Sequence, residues 1–209
     1  MAINATNSGT KRELIPADNY IARCYQMIEI GTVKESFQGE TKTMTKVRIG
    51  WELPELKKVF NEEKGEQPYV ISKEYTLSMN EKANLRKMLE SWRGVGFSDA
   101  DAAKFDITKL IGAPCMLNIT HKPSKDGSKT YEEISSVSRL HKSVTCPPQI
   151  NESFVLSYDD WSWDKFNSLP QFIREKMQTS QQYNELQSFE KGAVDLPHNN
   201  NDTSDDLPF

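Results

Sequence analysis

Residues Thr43–Leu53 alternate between two kinds of side chain. The residues at odd-numbered positions are mostly apolar: Thr45, Val47, Ile49, Trp51 and Leu53. Because successive side chains of a strand point to opposite faces of a sheet, this alternation predicts a β-strand that buries one face. Pro54 is expected to end the strand. A chain built around such a strand needs partner strands, so the alternation favours a mainly β fold.

Other stretches rich in β-branched and aromatic residues also have the signature of strands. They are Tyr20–Ile30, with the stretch Thr32–Phe37 that leads to the first turn, and then Tyr69–Leu77, Pro114–His121 and Thr130–Leu140, which make five strands with Thr43–Leu53. Between the third and fourth predicted strands, apolar residues recur at helical spacing, with Asn80 as the expected N-cap. This stripe is Ala83, Leu85, Met88, Leu89 and Trp92. Residues 55–68 are charged and contain Gly65 and Pro68, so we expect a loop there.

The predicted order is three strands, a helix and two strands. That is the order of the OB-fold, a five-stranded, partly open barrel that binds oligonucleotides on strands 2 and 3 and on two of its loops. We therefore predict a mainly β fold: a five-stranded OB-fold barrel with a helix between strands 3 and 4. An SH3-like barrel or a strand sandwich would give a similar series of strands without the central helix.

Composition divides the chain into four parts. We expect a disordered N-terminus over 1–13, the OB-fold DNA-binding domain over 14–145, and an aromatic and helical extension packed on the barrel over 146–186. Residues 187–209 are rich in Asn, Asp and Ser and are expected to form a disordered acidic tail. Exposed aromatic residues are costly in water, which is the reason to expect that the extension packs on the barrel.

The net charge of −4 is unevenly distributed. Residues 1–144 carry 22 Lys and Arg against 19 Asp and Glu, whereas residues 145–209 carry 4 against 11. Such an asymmetry between segments suggests a nucleic-acid-binding body followed by an acidic tail. The sequence contains no apolar run near the ~20 residues that span a bilayer and no signal-peptide pattern at its N-terminus. We therefore expect no membrane partner and a cytoplasmic location.

Binding of a single strand without sequence preference needs cations along the phosphates and rings that stack on bases. Three predicted strands carry such residues at positions of equal parity, so we expect these faces to lie side by side: Arg23 and Tyr25, Lys46 and Arg48, Lys73 and Tyr75. The two hairpins add Lys34, Phe37 and Lys42 at one edge and Lys122, Lys125, Lys129 and Tyr131 at the other. The alternative is that these lysines only aid solubility and these rings only fill a half-buried sheet.

Catalysis is not expected. The sequence has no Gly-rich nucleotide loop and no plausible pair of nucleophile and base. The cysteines and histidines lack metal-site spacing, so we expect no metal, no cofactor and no small-molecule substrate. These residues are Cys24, Cys115, Cys146, His121, His141 and His198.

The last five residues are Asp205-Asp206-Leu207-Pro208-Phe209. A C-terminal Phe offers a ring and a carboxylate together, which a partner protein can hold in a pocket with a basic rim. The preceding acidic residues would steer the tip toward that rim. We therefore predict that this tip binds replication or recombination proteins.

The body of the chain resembles the single-stranded-DNA-binding proteins of tailed bacteriophages. The matching stretches are Ala22–Met27, Lys46–Pro54, Ile71–Ser78, Leu85–Lys87, Ser91–Gly94 and Cys146–Ile150. The tip is similar to the acidic tip of bacterial single-stranded-DNA-binding proteins, with Leu207 where Ile is commoner. The resemblance implies an OB-fold, no catalysis, and a role in phage DNA replication or recombination in the cytoplasm of a bacterial host. The alternative is a replication-associated interaction adaptor with only weak nucleic-acid binding.

Overall fold

The computed structural model describes residues 13–37 and 39–194, with the side chains of Phe37 and of residues 190–194 left out. The strands are β1 (Asp18–Phe37), β2 (Glu40–Asn61), β3 (Gly65–Thr76), β4 (Pro114–Pro123), β5 (Thr130–Ser138) and β6 (Phe154–Leu156). The helices are α1 (Asn84–Arg93), α2 (Asp99–Lys104), α3 (Trp163–Ser168), α4 (Gln171–Gln178) and α5 (Gln181–Val194). Single 3-10 turns lie at Glu62–Lys64 and Ile107–Leu110.

Five strands form one antiparallel sheet in the order β3-β2-β1-β4-β5. The sheet curls into a half-barrel, so the prediction of a mainly β, five-stranded fold with a few helices is confirmed. The short β6 adds to β1 in parallel at Gln26–Ile28. At the two ends of the sheet, β3 and β5 approach each other, and Lys73 Nζ of β3 donates to the carbonyl oxygen of Ile134 in β5 over 2.6 Å.

The first hydrophobic core fills the concave side of the sheet. It contains Val47, Ile49, Trp51 and Leu53 of β2, and Leu85, Met88, Leu89 and Trp92 of α1. Helix α1 therefore covers the concave side with the apolar stripe seen in the sequence. The helix begins at Asn84, three residues after the start that an N-cap at Asn80 predicts. The Asn80 side chain instead accepts a hydrogen bond from the backbone N–H of Lys82, 3.0 Å away, in a turn that precedes the helix.

Residues 55–68 do not form the expected loop. β2 continues to Asn61 and pairs with β3 through a hairpin arm closed by the 3-10 turn. The register shifts between Leu53 and Lys57, and Pro54 lies within that irregularity. Because Pro lacks the N–H that a regular ladder requires, an irregular position accommodates it without ending the strand.

A second core lies on the convex side of β1. Two irregularities in its register, after Cys24 and after Glu29, change which side chains of β1 face each way. As a result β1 contributes to both cores: Ala22, Cys24 and Met27 to the first, and Ile28, Ile30 and Val33 to the second. The second core is completed by the C-terminal extension through Leu156, Phe166, Leu169, Ile173 and Met177.

Aromatic rings hold the extension together beside the second core. Trp161 stacks on Tyr158 with ring centroids 5.1 Å apart, and it packs against Phe166 at 5.2 Å. Burial raises the pKa of Tyr158 to about 12, and its hydroxyl lies 2.8 Å from Ser180 Oγ. The extension is therefore fixed to the outer side of the sheet. Within residues 13–37 and 39–194, none of the helices has the length and apolar character needed to cross a membrane.

Candidate nucleic-acid interface

A groove of about 830 Å³ opens where β3 and β5 approach each other. β3 and β5 form its walls, and one side of α1, from Asn84 to Ser91, borders it. Its polar lining includes Ser78, Asn80, Asn84, Ser91, Ser135 and Ser136. An opening of this kind, bordered by strands and a helix, is accessible from solvent.

The groove is basic. Among the described residues, four lysines and one carboxylate line it: Lys46, Lys73, Lys82, Lys87 and Glu74. The carboxylate of Glu74 already pairs with Arg48 at 3.2 Å and with Lys176 at 2.6 Å. The charge of Glu74 is therefore offset. Because Lys46 pairs with Glu35 at 2.7 Å and Lys73 Nζ lies 3.9 Å from Glu133, the positive potential of the groove comes mainly from Lys82 and Lys87.

The N-terminus of α1 adds to this potential. Ala83, at the N-cap position, and Asn84, the first helical residue, both line the groove. No side chain caps this end of the helix. Its first backbone N–H groups therefore retain hydrogen-bonding capacity, and the positive end of the helix dipole lies at the groove.

Lys73 and Tyr75 face the concave side of the sheet. In the β2–β3 register, Lys73 pairs with Ile49 and Tyr75 with Val47. Paired residues of neighbouring strands share a face, so these two side chains point away from the face that carries Arg48. The expectation that all three cation and ring sets lie side by side is therefore wrong for β3. Tyr75 is only 6% exposed, so its ring belongs to the first core.

Lys46 and Arg48 lie on the convex face, where α4 covers them with an ion-pair network. Lys46 Nζ is 2.7 Å from Glu35, and Lys176 Nζ of α4 is 2.8 Å from the same carboxylate. Hydrogen bonds from Lys176 and then Lys46 hold the pKa of Glu35 below its ordinary value. The network joins the extension to the groove, because Lys46 and Glu74 belong to both.

Arg23 holds the segment that connects the barrel to the extension. Its guanidinium donates to the carbonyl oxygens of Gly112 at 2.6 Å, Pro147 at 2.8 Å and Cys146 at 3.3 Å. Next to it on β2, the buried carboxylate of Glu52 accepts hydrogen bonds from residues 150 and 151 of the same segment. These contacts give Arg23 a role in stability that the sequence did not indicate.

Tyr25 lies at the first irregularity of β1 and is half-buried. Burial, followed by the nearby carboxylate of Glu52, raises the pKa of its hydroxyl. Tyr25 does not line the groove.

The hairpin residues are exposed and lie outside the groove lining. On the β1–β2 hairpin these are Lys34 and Lys42, and on the β4–β5 hairpin they are Lys122, Lys125, Lys129 and Tyr131. Lys42 pairs with Glu40 at 3.0 Å, and Lys122 pairs with Glu133. The Phe37 side chain and the tip residues Asp205, Asp206, Leu207, Pro208 and Phe209 lie outside the described side chains.

Lys82 and Lys87 are the groove residues that sequence reasoning missed. Lys87 lies on the exposed face of α1, and Lys82 precedes the helix. In sequence they read as the polar side of an amphipathic helix. That side of the helix borders a groove only because it lies beside the opening between β3 and β5.

In the part of the chain that the structure describes, no group of three or more His, Cys, Asp or Glu side chains is arranged to hold a metal ion. Neither a scan against models of protein families nor a search of curated proteins finds a match to this chain.

Proposed function

We propose that this chain binds single-stranded DNA without sequence preference, through the groove between β3 and β5. The observation that carries the proposal is the convergence of four lysines on one groove, where Arg48 and Lys176 offset the carboxylate of Glu74. Phosphates of an extended strand would bind the lysines and the free N–H groups of α1. Ser and Asn side chains along the groove can donate and accept hydrogen bonds for any base.

We also propose that the half-barrel is an OB-fold. The sheet order β3-β2-β1-β4-β5, with α1 between β3 and β4, supports this assignment. In the OB-fold the sheet curls so that its end strands approach each other, and the groove lies where β3 and β5 do so. The proposed ligand path differs from the face of strands 2 and 3, because α4 and its ion pairs cover part of that face here.

The sequence resemblance extends the proposal to a cellular role. It supports a protein that protects single strands during phage DNA replication or recombination in the cytoplasm of a bacterial host. Asp205–Phe209 would then recruit replication or recombination proteins. Both parts rest on the matching stretches between Ala22 and Ile150 and on the residues of the tip.

A second candidate is an interaction adaptor with only weak nucleic-acid binding. The observation that favours it is that several predicted DNA-binding cations already have partners within the protein. Arg23 holds three carbonyl oxygens, Lys46 and Arg48 pair with carboxylates, and Lys73 donates to Ile134. In this case the groove would contribute little, and the tip would carry the function.

Removing the two lysines contributed by α1 and the turn before it tests the first candidate. We expect Lys82→Ala with Lys87→Ala to weaken binding to oligo-dT at low salt. If each lysine meets one phosphate, the slope of log K against log salt should become shallower by about 1.4. Fluorescence anisotropy titrations over a series of salt concentrations measure both quantities.

The matched control is Lys104→Ala with Lys109→Ala, which removes the same charge from exposed positions on α2 and the following 3-10 turn. The control should bind nearly as tightly as the unaltered protein. An equal loss in both double variants would show that net charge, rather than the groove, determines binding. No loss in either would place the binding site outside the groove, whereas absence of oligo-dT binding by the unaltered protein at low salt would favour the adaptor.

A further inference from the structure

Helix α4 of the extension carries an exposed aromatic ring next to Arg48. Ile173 and Met177 face the second core and anchor the helix, at 4% and 0% exposure. Phe172, next to Ile173 on the helix, is 59% exposed. The second core thus fixes the backbone of α4 while this ring remains in solvent.

The ring of Phe172 is connected to the groove wall through Arg48. The guanidinium carbon of Arg48 lies 5.4 Å from the centroid of the Phe172 ring. The same guanidinium pairs with Glu74, which lines the groove, at 3.2 Å. A strand that leaves the groove past Glu74 would therefore meet a cation and an aromatic face together.

The groove itself lacks an accessible ring among its described lining residues. Tyr75 is the aromatic residue of that lining, and only 6% of it is exposed. Proteins that bind single strands combine a basic groove with aromatic faces on which bases stack. Phe172 is an exposed aromatic ring of the kind that the described lining of the groove lacks.

We propose that Phe172 is a base-stacking residue of the single-strand interface, with Arg48 supporting one face of its ring. The inference rests on the proposed function and deepens it, because it assigns to the C-terminal extension a direct contact with DNA. The proposed ligand is single-stranded DNA, because its unpaired bases can stack on a phenyl ring.

Isolated exposed aromatic residues are common on protein surfaces and by themselves indicate nothing. The feature that distinguishes Phe172 is its position over a cation that also contacts the groove wall. Phe189 on α5 serves as the matched control, because it is an even more exposed Phe, at 78%, of the same extension.

The test compares two ligands: oligo-dT and an abasic oligonucleotide of equal length, which keeps the phosphates and lacks the bases. We expect Phe172→Ala to weaken binding to oligo-dT by about tenfold, as for the loss of one stacked base. Binding to the abasic ligand should stay unchanged. Phe172→Tyr should bind oligo-dT normally, and Phe189→Ala should match the unaltered protein on both ligands. Urea unfolding should show equal stability for all variants.

Two results would overturn the inference alone. Unchanged oligo-dT binding in Phe172→Ala, while Lys82→Ala with Lys87→Ala binds weakly, would remove Phe172 from the interface and leave the groove in place. An equal loss on both ligands would show that the ring acts on the fold rather than on bases. If the unaltered protein failed to bind oligo-dT at low salt, the proposed function would fall, and this inference with it.

Discussion

At the scale of single residues, Arg23 shows how a cation can be assigned a different role by its partners. Its side chain donates to three carbonyl oxygens across the connection to the extension. Hydrogen bonds that involve a charged group contribute more than neutral ones. Arg23 is thus expected to stabilise the fold rather than to bind phosphate.

Substituting Arg23 separates these roles. We expect Arg23→Met to lower the free energy of unfolding by about 2 kcal/mol, the scale of a lost charged hydrogen-bond set. Arg23→Lys keeps the charge but loses the planar fork, so it should lose most of that stability as well. Urea denaturation measures the change. A loss of oligo-dT affinity in Arg23→Met with unaltered stability would instead assign Arg23 to the DNA interface.

The burial of single residues can be predicted from the sequence where a strand or helix pattern determines which side chains face the core. Trp51 and Trp92 are expected in the core from a strand and a helix pattern, and their ring centroids lie 5.9 Å apart within the first core. Such prediction is weaker for charged residues. The parity of Lys73 was readable, but the face it occupies depends on the β2–β3 register, in which it pairs with Ile49.

At the scale of elements, α4 meets the β1–β2 hairpin and β3 through an ion-pair network of Glu35, Lys46, Arg48, Glu74 and Lys176. These partners come from three segments that are far apart in sequence. No local pattern brings them together, so the network could not be predicted. It links the docking of the extension to the groove.

The titration of Glu35 gives this network a pH dependence. The pKa of Glu35 in the folded protein lies below its ordinary value of 4.5, because Lys176 and Lys46 donate to the ionised form. Glu35 therefore contributes stability above about pH 4.5, and this contribution is lost as the pH falls through the folded-state pKa.

Glu35→Gln provides the comparison. The unaltered protein should be more stable than this variant at neutral pH, and the difference should shrink as the pH falls below about 4.5. Urea unfolding at a series of pH values measures the difference. A difference that stays constant down to pH 3 would mean that ionisation of Glu35 does not support the docking of α4.

The helix stripe and the clean alternation of β2 were readable in the sequence, since each depends on local periodicity. The β2–β3 hairpin arm was not. The charged composition of the arm is typical of a loop, and Pro54 is typical of the end of a strand. The register irregularity between Leu53 and Lys57 removes that conflict, but an irregularity of this kind has no reliable local signal.

At the scale of the whole molecule, the chain has two cores on opposite sides of β1. The first closes the half-barrel, and the second attaches the extension. The sequence indicates the aromatic extension by composition alone, whereas its place on β1 follows from the irregularities that turn Ile28, Ile30 and Val33 outward. This arrangement is what sets Phe172 beside Arg48.

The uneven charge of the chain also belongs to this scale. The basic body carries the groove, and most of the acidic excess lies in residues 145–209. The groove depends on topology, since β3, β5 and α1 meet only after the sheet has curled. The sequence could therefore indicate a mildly basic body and two of the groove lysines, Lys46 and Lys73, but not the contribution of Lys82 and Lys87.

The most direct test of the central claim is a titration of the full-length chain with oligo-dT and with duplex DNA of equal length, at 50 and 200 mM NaCl. If four groove lysines each meet one phosphate, affinity for oligo-dT should fall roughly 50-fold between these salt concentrations. Duplex should bind at least about tenfold more weakly than oligo-dT at either salt, since it cannot present bases for stacking. Absence of oligo-dT binding at 50 mM NaCl, or equal affinity for duplex, would contradict the assignment of the groove to single-stranded DNA.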